Sequence, residues 1–327
     1  MSNALEFDLV AGLPLENAYL FVHIPKTAGT SFRDSLEGIF GDGLYCDYGV
    51  DEPTTSPVIV DYIHKRNAYP EFGSFLAEQN KLICLSGHYP IKKYGPFFYS
   101  KNIIMFVRDP IQRTISQYEH IRRVEGTTES LESFCSRPAH MNLQTRNIGR
   151  IPFSLIGFIG LQEFYRESLQ LLRSQLGLQV QESFLNINEQ RASVKYQPDS
   201  ELLAILEKNN EQDLLLYKKI SALFKQRYEL FAAGKPYMYG IANRPNNNRI
   251  TGWVFDPSSD EPVEVSLWIN GQEIEQTLAK DYRHMLREWN INRQAYVGFE
   301  FSLKDLSTHD HVECRVSETH QLLPILN

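Results

Sequence analysis

Paired cysteines are missing from this chain. Cys46, Cys84, Cys135 and Cys314 are scattered, with no C-x-x-C among them. That excludes a disulfide framework or a zinc site read from spacing and leaves reduced, buried thiols as the expectation. No apolar run approaches ~20 residues, so no segment reads as a membrane span. The first residues, MSNALEFDLVAGLPLENAY, have no basic stretch followed by an apolar core and do not read as a signal peptide. The expectation from both is a soluble, cytoplasmic protein. Basic charge is not in excess either: 33 Lys and Arg stand against 40 Asp and Glu, a net charge of −7. That argues against a nucleic-acid binder, and it leaves only a local basic cleft to attract a polyanion. There is no internal repeat and no low-complexity tract. The pattern G-x-x-x-x-G-K-[ST] is absent, so the usual nucleoside-triphosphate loop is not spelled here.

What is present centres on Tyr19 to Phe40, YLFVHIPKTAGTSFRDSLEGIF. Tyr19–Val22 reads as a buried strand, Pro25–Gly29 as a turn, and Thr30 onwards as a helix with Phe32, Leu36 and Ile39/Phe40 on one face. A strand, a loop of small residues and a helix N-terminus form an anion site, because free N–H groups and the helix dipole point at the ligand. Lys26 adds a full charge, and Thr30 and Ser31 add hydroxyls. Such a loop suits a phosphate or a sulfate; on its own it also fits a purely structural turn with a surface lysine.

The 327 residues suffice for two domains or one large one. Residues 41–80 are mixed. Lys81–Ser86 and Asn102–Val107 read as buried strands, the first followed by Gly87-His88 and the second by Arg108-Asp109-Pro110. Asp109 as N-cap and Pro110 at the first helical position predict a helix over about 110–123. Ser154–Gly160 reads as a strand, Gln162–Leu176 as a helix stopped by Gly177, Glu182–Asn188 as a strand and Ser200–Ala233 as a long helix. Strands alternating with helices imply a parallel sheet with both faces covered, and ligands in such sheets bind at the carboxyl ends of the strands. Lys26, His88 and Arg108 each sit just past a strand, on that rim. The composition then changes. Ala242–Arg249 reads as a polar linker, and Trp253, Trp268 and Trp289 lie beyond it among short alternating segments. Asn270-Gly271 marks a hairpin. Two domains are expected: residues 1–240, and a small all-β, sandwich-like domain over 250–327.

The helix after Arg108 has Ile111, Ile115 and Tyr118 on one face and Arg113, Ser116, Gln117 and His120 on another, so the polar set is expected to face a cleft or water. An arginine at the strand end and a hydroxyl two turns on, Arg108 and Ser116, can clamp a second phosphate. Two anion sites imply a ligand with phosphates at two positions.

HIPKTAGTSF together with FVRDPIQRTISQYEH resembles the two signatures of sulfotransferases that use 3′-phosphoadenosine 5′-phosphosulfate (PAPS), in particular the polysaccharide branch with heparan sulfate 2-O- and 6-O-sulfotransferases and bacterial relatives. The resemblance covers about residues 18–230 and takes in NLQTRNIG (142–149), IGFIGLQEFYRESLQLL (156–172) and the D-x-x-L-Y pattern from Asp213 to Tyr217. It implies a P-loop-kinase-like, three-layer αβα fold with a parallel sheet. It implies that Lys26, Thr27, Ala28, Gly29, Thr30 and Ser31 wrap the 5′-phosphosulfate, and that Arg108 and Ser116 hold the 3′-phosphate. His88 falls where the 2-O-sulfotransferases have the second histidine of a histidine-glycine-histidine strand end, and Ser86 replaces the first. The C-terminal domain lies outside the resemblance.

Sulfuryl transfer is a loose in-line displacement, so positioning and charge stabilisation carry most of the catalysis. Lys26 would stabilise the leaving phosphate oxygen, and His88 would take the acceptor hydroxyl's proton. No metal is demanded. His120, Arg146 and Lys92 are candidates for touching the acceptor, a saccharide or glycan-bearing molecule; as alternatives, Arg146 caps a helix and Lys92 is merely solvated. His23 is expected to pack against the sheet. The rival functions are a P-loop-like kinase and a non-catalytic glycan-binding protein on a degenerate scaffold.

Overall fold

The computed structural model describes residues 14–181, 196–303 and 310–326. The chain divides into two compact units, residues 1–151 with 158–224, and residues 152–157 with 225–327.

The first unit is built on a five-stranded parallel sheet of order β2-β3-β1-β4-β5, with β1 Ala18–Val22, β2 Leu44–Asp47, β3 Ile83–Gly87, β4 Ile103–Val107 and β5 Phe158–Leu161. All residues of β3, β4 and β5 are buried, so both sheet faces are covered, as continuous apolar runs demand. The helices are α1 Gly29–Phe40, α2 Pro57–Ile59, α3 Tyr69–Ala77, α4 Pro110–Glu125, α5 Leu131–Cys135, α6 Leu143–Ile148, α7 Tyr165–Leu176, α8 Ser200–Asn209 and α9 Glu211–Ala232. On one face Phe32 of α1 packs on Phe21 and Phe106, and Tyr165 of α7 also meets Phe106, with ring centroids 4.7, 5.0 and 5.5 Å apart. From β1 the chain steps outward to β2; from β2, β3 and β4 it steps the other way. Right-handed crossovers place those connections on opposite faces, so the sheet's switch point is the carboxyl end of β1.

The expected α/β architecture is present, with differences of detail. The mixed region hides β2, four residues whose outward positions are polar or only partly buried, too short for a periodic signal. The expected helix over 200–233 is two helices. They break at Asn210, whose buried side chain donates to the Leu206 carbonyl, and a side chain that competes for backbone partners favours an end. Apolar 154–160 narrows to a 3₁₀ turn, Phe153–Leu155, and the strand β5. The expected strand at 182–188 lies outside the described residues.

The second unit holds two antiparallel-built sheets. One has the order β10-β11-β7-β6-β14: β6 Tyr239–Asn246, β7 Arg249–Phe255, β10 Asp281–Tyr282, β11 Tyr296–Ser302 and β14 Ile325–Leu326, the last pairing parallel to β6. The other is β13-β12-β8-β9, with β8 Glu264–Ile269, β9 Gln272–Leu278, β12 Val312–Val316 and β13 Leu322–Leu323. Ala242, Ile250, Val254 and Phe299 from the first share one core with Val265, Leu267 and Cys314 from the second, the arrangement of a sandwich. Ala242–Arg249 is therefore not a linker: it is the β6–β7 hairpin, whose polar Asn-rich tip is solvent-exposed while Ala242 and Ile250 point inward. The compact units part inside α9, at 224/225, rather than within 240–250. Residues 152–157 group with the second unit because the buried Arg227 donates to the carbonyls of Gly157 and Ile156, at 3.2 and 3.4 Å, and Tyr239 donates to Gly157 at 2.7 Å. Trp253 is core; Trp268 lies half-buried beneath the Arg315 guanidinium at 4.4 Å, and Trp289 is half-buried.

Candidate active site

Register alone assembles the first part of the site. Val22 of β1 and Asp47 of β2 both pair with Gly87 of β3. One residue further on, His23, Tyr48 and His88 stand in a row across three strand ends. Backbone bonds hold the row: His23 N–H donates to Gly87 and His88 N–H to Asp47, at 2.9 and 3.0 Å. The His88 ring meets the His23 ring at 4.6 Å and the Tyr48 ring at 4.7 Å, both edge-on. The Tyr48 hydroxyl reaches His23 Nδ1 at 3.1 Å and Ser86 Oγ at 3.2 Å. His88 keeps an exposed edge, but the protein packed around the ring, and after it the charge of Arg33 of α1, lowers its pKa to about 4. Burial, then His88, Arg33 and Lys26, lowers that of His23 to about 3. Both rings are neutral at pH 7, so each offers one acceptor and one donor nitrogen.

Asp47 anchors the row from the other side of β2. Its carboxylate is 3% exposed and accepts from Lys93 Nζ, Tyr94 Oη and His64 Nε2 at 2.6, 2.7 and 2.8 Å. Gly87 is required here, because a Cβ would lie 1.9 Å from the Asp47 carbonyl oxygen.

The loop leaving β1 is an anion concavity in its backbone. Lys26 and Ala28 have positive φ, 71° and 74°, separated by Thr27 in the ordinary region. That alternation turns successive N–H groups inward as a nest. Ala28, in the N-cap position of α1, supplies no side-chain cap, so the helix's first N–H groups keep no side-chain partner from it. Thr27 is buried and spends its hydroxyl on the Ile24 carbonyl at 2.8 Å, so only its backbone remains for a ligand. Thr30 and Ser31 lie in the first turn of α1, and their side chains fall outside the described residues. Gly29 is needed for closeness: a Cβ would sit 2.0 Å from His23 Cδ2 and 2.1 Å from its Nε2.

Arg108, just past β4 and next to β1 in the sheet, closes on the same loop. Its Nη1 donates to the Lys26 carbonyl at 3.4 Å, while its buried Nε has no hydrogen-bond partner among the described residues. Burial lowers its pKa against the pull of Glu163, Tyr196 and Asp109. Burial also lowers Lys26, and the charges of Arg123 and Arg108 lower it further. These cations crowd one another, an arrangement that favours a bound anion. His120, half-buried on α4, has Nδ1 3.4 Å from Arg123 Nη2 and is lowered by burial, Lys26 and Arg123. Arg123, in the last turn of α4, therefore joins this group.

The sequence segments around Arg108 are one scaffold. Gln144 holds both backbone groups of Arg108, accepting from its N–H and donating to its C=O, each at 2.9 Å. Asp213 receives the backbone N–H groups of Gln144 and Thr145 at 3.0 and 2.7 Å. Glu163 accepts from the Asp109 N–H at 2.8 Å and from the Tyr217 hydroxyl at 2.9 Å. Asp109 caps α4 through the Gln112 N–H. Arg113, expected on the polar cleft face, is instead fully buried, its Nη2 donating to Thr114 Oγ1 and the His140 carbonyl at 3.0 and 3.3 Å; the segment before α6 folds over that face. Ser116 is half-buried on α4. Arg146 is exposed and donates to the Ala139 carbonyl, and Lys92 is exposed on a 3₁₀ turn; no contact joins either to Lys26, His88 or Arg108 among the described residues. A cleft of about 610 Å³ in the second unit, lined by Asp256, Glu261, Glu264 and Glu318 among others, shares no residue with this site, and its carboxylates would repel an anionic ligand.

No protein-family model matches the chain, and no curated protein sequence does. Among solved structures, a sulfotransferase from Alicyclobacillus acidocaldarius is 17% identical with a TM-score of 0.32, over 58% of this chain and 94% of that one. Mouse sulfotransferase SULT7A1 complexed with PAP is 14% identical with a TM-score of 0.31, over 64% and 70%.

Proposed function

We propose that the first unit is a sulfotransferase that binds 3′-phosphoadenosine 5′-phosphosulfate and passes its sulfuryl group to a hydroxyl, on a saccharide or glycan-bearing acceptor. One observation carries this reading. A backbone nest with Lys26, and Arg108, whose buried Nε has no hydrogen-bond partner among the described residues, meet at adjacent strand ends beside a neutral imidazole. Two cationic anchors suit a ligand with two separated phosphates, and the imidazole suits removal of a hydroxyl proton.

In this mechanism the nest, the α1 N-terminus and Lys26 hold the 5′-phosphosulfate, and Arg108 with Ser116 holds the 3′-phosphate. As the acceptor oxygen bonds to sulfur, its proton passes to His88. The bond from sulfur to the bridging oxygen breaks, and Lys26 meets the charge left on that phosphate oxygen. His88 is a weak base at rest, first because the protein desolvates it and second because of Arg33; the bound dianionic group opposes the second effect and favours the ring's taking up the acceptor's proton. The saccharide acceptor follows from the sequence resemblance. A kinase of the P-loop type would need a lysine after the loop glycine, where this chain has Thr30.

Calorimetry with adenosine 3′,5′-bisphosphate tests the reading, with Lys26→Ala and Arg108→Ala alongside. Micromolar binding, about −8 kcal/mol, lost in both variants is expected. Wild-type protein that binds none refutes it and favours a non-catalytic scaffold.

A further inference from the structure

Among the described residues His23 is the one buried imidazole that the mechanism above leaves idle, and its surroundings are closely constrained. It is 7% exposed. Its Nδ1 faces the Tyr48 hydroxyl, and that hydroxyl also faces Ser86 Oγ. Its Nε2 edge presses on the loop at Gly29, the first residue of α1, where no side chain would fit. Either direction of proton donation fits these two distances; a neutral imidazole nitrogen is a strong acceptor, which favours the arrangement in which Tyr48 donates to Nδ1 and accepts from Ser86. The proton of His23 is then fixed on Nε2, the nitrogen turned to the anion loop.

We propose that His23 is a neutral hydrogen-bond donor to the anion held by the Lys26–Gly29 loop, kept in its Nε2–H form by the relay Ser86–Tyr48–His23. Tyr48 and Ser86 are positioning residues, acting through His23. The groups facing His23 fit a neutral donor: His88 from β3, Lys26 from the loop and Arg33 from α1 all oppose a positive charge there. Tyr48 comes from β2, and the neighbouring carboxylate, Asp47, is taken up by Lys93, Tyr94 and His64. A neutral imidazole can donate without altering the charge of the loop, which Lys26 already supplies.

The inference rests on the anion-binding reading, and two measurements separate their failures. First, long-range ¹H–¹⁵N correlation of the histidine rings at pH 7, without ligand, reads the tautomer. His23 is expected as Nε2–H in the wild type and as a mixture in Tyr48→Phe; a proton on Nδ1 in the wild type overturns the proposal. Second, calorimetry compares His23→Leu, His23→Gln and Tyr48→Phe, with adenosine 3′,5′-bisphosphate and, separately, inorganic pyrophosphate. His23→Leu should weaken both about tenfold or more, the size of one hydrogen bond to a charged group. His23→Gln, whose amide can donate, should recover part of the loss, and Tyr48→Phe should lose less than His23→Leu. Unchanged affinity in His23→Leu overturns the proposal. Pyrophosphate binding without bisphosphate binding counts against the nucleotide and leaves His23 supported; binding of neither overturns both.

Discussion

Replacing Asp47 by asparagine removes one charge from an enclosed polar cluster of the first unit. The carboxylate accepts three hydrogen bonds and is 3% exposed, whereas Lys93 and His64 keep 23% and 20% of their side chains exposed. Breaking a buried pair by removing one partner costs about 3–5 kcal/mol. Because water can take over part of the solvation of Lys93 and His64, the lower end applies, about 3 kcal/mol. Burial raises the Asp47 pKa, but the bonds from Lys93, Tyr94 and His64 outweigh it, and the net shift is downward. A carboxyl depressed in the folded state stabilises above its unfolded value, about 3.9, and that stabilisation is lost as pH falls through the folded value. Urea denaturation of wild type and Asp47→Asn should therefore show a gap of about 3 kcal/mol at pH 7 that narrows below pH 4. A gap under about 1 kcal/mol, or one that does not change with pH, would refute the reasoning.

Gln144→Leu leaves both backbone groups of Arg108 unpaired, which should cost about 2–4 kcal/mol of stability in denaturant titration and weaken bisphosphate binding about tenfold by displacing Arg108. Once an acceptor is in hand, kcat/KM for the sulfuryl donor, which reports the donor-free enzyme, should be nearly flat from pH 7 down to about 5.5, because His88 there titrates at about 4. An acid limb near 6.5, the ordinary histidine value, would remove His88 as the base. On the alkaline side kcat/KM should fall below pH 10.5, since Lys26 must stay charged and its pKa is lowered.

The parallel sheet was legible because β1, β3 and β4 are unbroken apolar runs ending at Pro, Gly or Asp-Pro. Lys26, His88 and Arg108 could be placed on one rim from that alone. Tyr48 could not: nothing local marks it, and its role exists only through the register of β2 on β3. Arg113 misled because helical periodicity assigns a face but does not say what later folds over it. The tie of Gln144 and Asp213 to Arg108 spans separations of 36 to 69 residues, beyond any window of sequence pattern. The hairpin at 242–249 was hidden by its own polar tip, which has the composition of a linker.

The row of Tyr48, His88 and His23 has a consequence for folding. Its members are 25 to 65 residues apart and meet only when three parallel strands pair in one register. Parallel pairing closes long loops before any contact compensates the lost chain entropy, so it forms late. A slip of one residue in either pairing would send one of the three side chains to the opposite face. Intermediates with helices and partial sheet should therefore have no site at all, and recovery of ligand binding during refolding should lag behind recovery of secondary structure.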